Sequence, residues 1–204
     1  MLHRKQNVRG QNAQGFTIIE LAISISVISV VTIIIYTIFN TSFLNYLGLQ
    51  RNNIAFDTMN RNSQRIATVV RGLTDITLAD ANELTFYSYF SPNDNYVSLV
   101  HYYLDGSNPS LRADVTPLNA NPPSGTPQSS RKQSFTVIEQ FVAQTTPTFE
   151  YLDSSGATLS QPIADLHTIK GIRINLAQKI DDPKQTETTT NSLTVSLRNR
   201  KTNL

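Results

Sequence analysis

Residues 15–39 read GFTIIELAISISVISVVTIIIYTIF, an apolar run with a single carboxylate, Glu20, near its start. Phe16 to Phe39 make 24 residues, mostly Ile, Val, Leu, Ala and Phe with scattered Ser and Thr, and no charged residue falls between Leu21 and Gln50. About 20 such residues suffice for a helix to cross the hydrocarbon core. β-Branched residues, poor helix formers in water, are no obstacle in lipid, where backbone groups must pair within the segment. The stretch predicts one spanning helix. An acid inside such a helix costs about 2.5 to 3.5 kcal/mol and reads as functional by default. The bland alternative is that Glu20, four residues or about 6 Å of helix rise into the run, sits at the headgroup boundary, where an acid is cheap.

The residues before the run carry Arg4, Lys5 and Arg9 and no acid. The whole chain has a pI of 8.9 and 17 Lys and Arg against 15 Asp and Glu. Removing those three leaves 14 basic against 15 acidic side chains in residues 16–204, so the basic balance belongs to the leader and not to the domain. A nucleic-acid partner loses its main support. By the positive-inside rule the leader stays in the cytoplasm and everything after Thr41 lies across the membrane, N-terminus in and C-terminus out. Cysteine is absent, which excludes disulfides, thiol nucleophiles and thiolate metal sites. At 204 residues the chain fits one ordinary domain and an anchor.

A secretory signal places its cleavage site after the apolar stretch, but here the candidate site, Gly15 followed by Phe16, precedes it. GFTIIE, Gly15 to Glu20, behind a short basic leader and ahead of an uncharged helix, resembles the class III signal of type IV prepilins and pseudopilins. The resemblance implies cleavage between Gly15 and Phe16 by a cytoplasm-facing prepilin peptidase, N-methylation of Phe16, and a role for Glu20 in docking onto the terminal amine of a neighbouring subunit. Partners would be the membrane, the peptidase, other pilin or pseudopilin subunits and their assembly machinery. The chain departs from major pilins in two respects: Ile35, Tyr36, Thr37 and Ile38 stand where a helix-bending proline is common, and there is no C-terminal disulfide.

Beyond Thr41 no proline occurs before Pro92, and Ala55, Met59, Ile66, Val70 and Leu73 form an apolar stripe that needs a partner. Arg51, Asp57, Arg61, Arg65 and Arg71 lie opposite and read as a solvated face. Gly72 followed by Leu73 predicts a helix stop with the glycine in the left-handed position. Phe16 to Arg71 would be one helix of about 84 Å, with Gly48 as a soft point. From Asn82 the period becomes two. ELTFYSYF (83–90) and YVSLVHYYL (96–104) predict strands around SPNDN, with a third strand over 111–115. Residues 116–134, with four prolines, read as a surface loop. FTVIEQFVAQ (135–144) suits a strand or a short helix. TFEYLD (148–153), IKGIRINLAQ (169–178) and SLTVSLRNR (192–200) suit strands, the last two joined by a polar stretch containing DDPKQTETTT. Expected, then, are a leader over 1–15, the transmembrane half of a long helix over 16–39, its amphipathic half over 40–72, and a β-rich domain over 73–204. The fold class is α+β and pilin-like, with the helix packed on a mainly antiparallel sheet. Tyr103 to Gly106, Leu111 with Arg112, and Leu197 to Arg200 are similar to segments of J-type pseudopilins and W-type minor pilins.

Little points to chemistry. His3, His101 and His167 lack second ligands at zinc spacing, no serine sits in a nucleophile elbow, and no phosphate loop is present. Asp181 and Asp182, near Glu187, lack the alternating ligands of a calcium loop and suit a hairpin tip. The aromatics Phe86, Tyr87, Tyr89, Phe90, Tyr96, Tyr102 and Tyr103 read as core and rim of a sheet before they read as a stacking platform. No catalytic residue, metal, cofactor or small-molecule substrate is expected. Two function classes follow: a minor filament subunit of a pilus, competence or type II secretion machine, and a bitopic membrane protein displaying an extracytoplasmic binding domain. Only the first uses Gly15, Phe16 and Glu20.

Overall fold

The computed structural model describes residues 15–180 and 188–197. The chain divides into two compact units, residues 1–47 and 48–204. In the first unit the apolar run is helical from Ile18, within α1 (Ile18–Arg71). Every described residue up to Tyr46 is exposed within this chain, so the apolar side chains have no cover of their own. The Ser and Thr hydroxyls of residues 21–39 are satisfied within the helix: Ser24, Ser26, Ser29, Thr32 and Thr37 each donate to the carbonyl four residues earlier, at 2.7–2.9 Å. Such back-bonding leaves none of these donors unpaired in a medium without water.

In the second unit the stripe is real. Met59, Ile66, Val70 and Leu73 are buried and Ala55 is half-buried, with Ser63, Ala67 and Val69 completing the inner face. Arg51, Asp57, Arg61, Arg65 and Arg71 are exposed. The helix stops where predicted, for a different reason. Gly72 has no positive φ; its amide still bonds the carbonyls of Thr68 and Val69, and the Leu73 amide bonds Val70, which closes a tight last turn. Glycine is favoured there by crowding, since a Cβ would meet the Ser88 Oγ at 3.3 Å and that hydroxyl donates to the Val69 carbonyl at 2.8 Å.

The strands form two antiparallel sheets. β1 (Asp75–Ala79), β2 (Glu83–Ser88), β3 (Ser98–Asp105), β4 (Ser110–Pro117) and β5 (Gln133–Ile138) make a five-stranded meander in chain order. β6 (Phe149–Leu152), β7 (Gly171–Lys179) and β8 (Thr188–Ser196) make a three-stranded sheet. β1 was not predicted: a register shift between Ile76 and Leu78 breaks its alternation and only Ile76 is buried. β8 begins inside the stretch read as polar connection, because Thr188, Thr189 and Thr190 pair with Lys179, Gln178 and Ala177. Of the segment 135–144 only the part to Ile138 is strand, the end of β5; the rest is irregular and crosses to β7, where the Val142 amide bonds the Ala177 carbonyl at 2.9 Å. One core joins helix and sheets, with Phe86, Tyr102, Phe149, Tyr151 and Ile172 all buried. Of the other sheet aromatics, Tyr87, Phe90 and Tyr103 are half-buried, while Tyr89 and Tyr96 are exposed. Of the stretch 116–134 read as a loop, Thr116 and Pro117 end β4, Ser129–Arg131 form a 3-10 turn and Gln133 and Ser134 open β5; the part between is mostly on the surface as expected, but it folds on itself. Leu118 bridges Pro127, and a Cβ on Gly125 would lie 1.8 Å from the Ala120 carbonyl oxygen, a close approach only glycine permits.

The outer face of the meander carries a charged cluster. Asp114 accepts from Ser134 Oγ at 2.5 Å and pairs with Lys132 Nζ at 2.6 Å. Burial opposes its ionisation, but the bonds from Lys132 and Ser134 outweigh it and hold the carboxyl below its ordinary 3.8. A group with a depressed folded pKa contributes stability above its unfolded value and loses that contribution as pH falls through the folded one. Asp114→Ala is therefore expected to cost about 1–3 kcal/mol at neutral pH, with the gap to the parent closing as pH drops below about 4. Urea melts at pH 7 and pH 3 check this; a gap equal at both would show that charge plays no part.

Candidate processing and docking site

The residues ahead of the helix are Gly15, Phe16 and Thr17, all exposed. Phe16 is 83% exposed, so nothing among the described residues shelters its ring. Gly15 has open space where a Cβ would stand. No packing among the described residues requires glycine there.

Glu20 is placed by its own helix start. The Thr17 carbonyl accepts the first turn's bond from Leu21, at 3.2 Å. The Thr17 hydroxyl accepts from the Glu20 amide at 3.3 Å, while Glu20 Oε2 accepts from both the Thr17 amide and the Thr17 hydroxyl at 2.9 Å. This reciprocal arrangement is a capping box, which satisfies backbone donors that an α-helix start leaves unpaired. The negative charge also lies at the positive end of the helix dipole. The sequence signal for it, Thr-x-x-Glu ahead of an apolar run, is present in residues 17–20. Thr17 is thus a site residue that charge and hydropathy alone do not bring out. One carboxylate oxygen is committed to the cap, which leaves Oε1 as the atom open to an external cation.

The candidates for chemistry elsewhere do not assemble. His101 stacks on Tyr103 with ring centroids 4.8 Å apart, and its Nε2 lies 3.8 Å from a Glu83 oxygen. The Ser134 hydroxyl is spent on Asp114, and Lys132 holds the second oxygen of that acid, so no imidazole stands between serine and carboxylate as a nucleophilic triad needs. His167 is exposed within the short 3-10 turn Leu166–Thr168. Among the described residues no three His, Asp or Glu side chains are grouped to hold a metal ion. His3, the basic residues of the leader, Asp181, Asp182, Glu187 and Arg200 lie outside the described residues.

A family model described as the prokaryotic N-terminal methylation motif matches residues 10–36. No curated protein matches the chain significantly. The matched segment contains Gly15, Phe16, Thr17 and Glu20 and all but the last three residues of the membrane-length run. In the described residues α1 is long and apolar enough to cross a membrane. The match is consistent with a type IV prepilin or pseudopilin, supports processing by prepilin peptidase, and points to a structural subunit with a membrane anchor.

Proposed function

We propose that this chain is the precursor of a minor subunit of a type IV pilus-like or pseudopilus filament, inserted N-terminus in and C-terminus out. Cleavage between Gly15 and Phe16 removes residues 1–15, Phe16 is N-methylated, and the uncovered apolar helix bundles with those of other subunits. The observation that carries this reading is the methylation motif over residues 10–36, which runs into a helix whose apolar surface has no cover among the described residues. Gly15 supports it, since it stands directly before Phe16 and no packing among the described residues accounts for a glycine there. Glu20 supports it as the acid nearest the amine that cleavage would create. The minor-subunit part rests on the absent proline near Thr37 and the J-type and W-type similarities. The loop over 116–134 adds little to it, because a loop that hydrogen-bonds to itself is not costly to order at a subunit contact.

A second reading, a bitopic anchored protein, gains from the capping box, which gives Glu20 a use without any partner. Two variants separate them. Glu20→Ala removes cap and charge together, whereas Thr17→Val removes the capping hydroxyl and keeps the carboxylate. For a filament subunit, Glu20→Ala is expected to be cleaved and inserted but to lose most incorporation into sheared filaments, measured by quantitative immunoblot, while Thr17→Val keeps most of it. Equal losses would assign Glu20 to the cap alone. A cap of this kind is worth about 0.5–2 kcal/mol, too little to unfold a helix held by lipid.

A further inference from the structure

The C-terminal turns of α1, the loop that follows β2 and the edge strand β5 enclose an open groove of about 650 Å³. It lies wholly within the second unit. Its floor is aromatic: Phe90 stacks on Phe135 with centroids 5.5 Å apart and planes 22° apart, and the Arg65 guanidinium lies 5.1 Å from the Phe90 centroid. Arg131 also lines the groove, and among the described residues its guanidinium bonds the neutral Gln128 side chain at 3.0 Å. The single acid in the lining, Asp94, turns back on its own loop and accepts from the Ser91 amide at 2.8 Å.

The other arginines of the domain that form ion pairs do so outside the groove: Arg61 with Asp57, Arg112 with Asp105 and Arg173 with Glu150. Arg65 and Arg131 have no carboxylate partner among the described residues. Solvation explains a lone arginine on a helix face, but not two arginines converging on one concave, aromatic-floored site. β5 adds a third element. It is the last strand of its sheet, and α1 covers its far end, where Asn62 Nδ2 donates to the Val137 carbonyl at 2.7 Å. Nearer the groove, Gln133 and Phe135 are exposed with no strand beyond them among the described residues. An open strand edge is a template for one more strand.

We propose that this groove binds an extended acidic segment of a partner protein. The segment adds along β5, sets an apolar side chain on the Phe90 and Phe135 rings, and places carboxylates on Arg65 and Arg131. Guanidinium suits this task because its planar fork meets a carboxylate with two parallel bonds. The site does not depend on the filament reading, because no residue of the N-terminal motif contributes to it.

The test uses the full chain in lipid nanodiscs and a fluorescein-labelled hexapeptide, Glu-Val-Glu-Phe-Glu-Val, read by fluorescence anisotropy. Its affinity is expected to exceed that of the same peptide with Gln for Glu by about tenfold or more, and to fall about tenfold with Arg131→Glu or Arg65→Gln. Arg61→Gln, on the same helix but paired outside the groove, is the control expected to leave binding unchanged. Near-UV circular dichroism verifies that each variant is folded. Equal affinity for the two peptides, binding indifferent to Arg131→Glu, or tighter binding of trigalacturonate or a twelve-residue oligothymidylate would overturn the assignment.

Discussion

Intact-mass measurement of the membrane-extracted protein is expected to return a chain that begins at N-methylated Phe16, and Gly15→Val is expected to return the full precursor. The argument is one of access. Gly15 and Phe16 lie outside the helix and are exposed, so a peptidase can reach both residues of the scissile bond. A Cβ at position 15 meets nothing among the described residues, so a valine there is expected to leave insertion and folding untouched and to act on the enzyme. There a β-branched side chain beside the attacked carbonyl displaces the peptide, and a displacement of about 1 Å is enough to slow a positioned reaction roughly 10²-fold. Parent protein that still starts at Met1 in a host with active prepilin peptidase would refute the processing reading. Normal cleavage of Gly15→Val would show instead that the enzyme does not read the glycine.

The largest effect on stability is expected at Phe149. This ring, fully buried on β6, lies tilted against Tyr102 of the five-stranded sheet with centroids 6.5 Å apart. Its amide donates to the Ala81 carbonyl at 2.9 Å, so backbone and side chain both tie the second sheet to the first. Phe149→Ala removes a large apolar side chain and leaves a cavity that the surrounding strands, locked by their ladders, cannot collapse. The expected cost is about 3–5 kcal/mol, a large share of the roughly 5–15 kcal/mol that holds a domain together. Urea denaturation in detergent micelles, followed by near-UV circular dichroism, measures it. Phe56→Ala on an exposed helix position is the matched control, expected to fall within about 0.5 kcal/mol of the parent. A loss under 1 kcal/mol at Phe149 would mean that the two sheets are not joined through this ring.

The membrane-length helix and the motif at its head were legible in the residues alone because both depend on local quantities. The absence of charge from Leu21 to Gln50, the length of the run, and the positions of Gly15, Phe16 and Glu20 need no knowledge of the rest of the chain. The same holds for the stripe through Met59, Ile66 and Val70 and for the alternation in β2 and β3, where each side chain's environment follows from its own strand or helix face. What the tertiary structure alone decided depends on partners far away in sequence. The division of the strands into two sheets follows from the chain leaving β5 at Ile138 to run beside β7, forty residues on. β1 exists because Phe86 and Leu84 offer it a ladder, and the Thr-rich start of β8 because Lys179 to Ala177 do; neither segment has an apolar pattern of its own. Gly72 ends the helix through its closeness to Ser88, sixteen residues later, and not through a left-handed turn. Arg65 and Arg131, which look like solvated charges in a linear reading, line one groove with Phe90 and Phe135 only because β5 folds back beside α1. Propensity and hydropathy report what a segment is able to become. Which backbone donors and aromatic faces meet is set by the pairing of distant segments, and that was visible only in the folded chain.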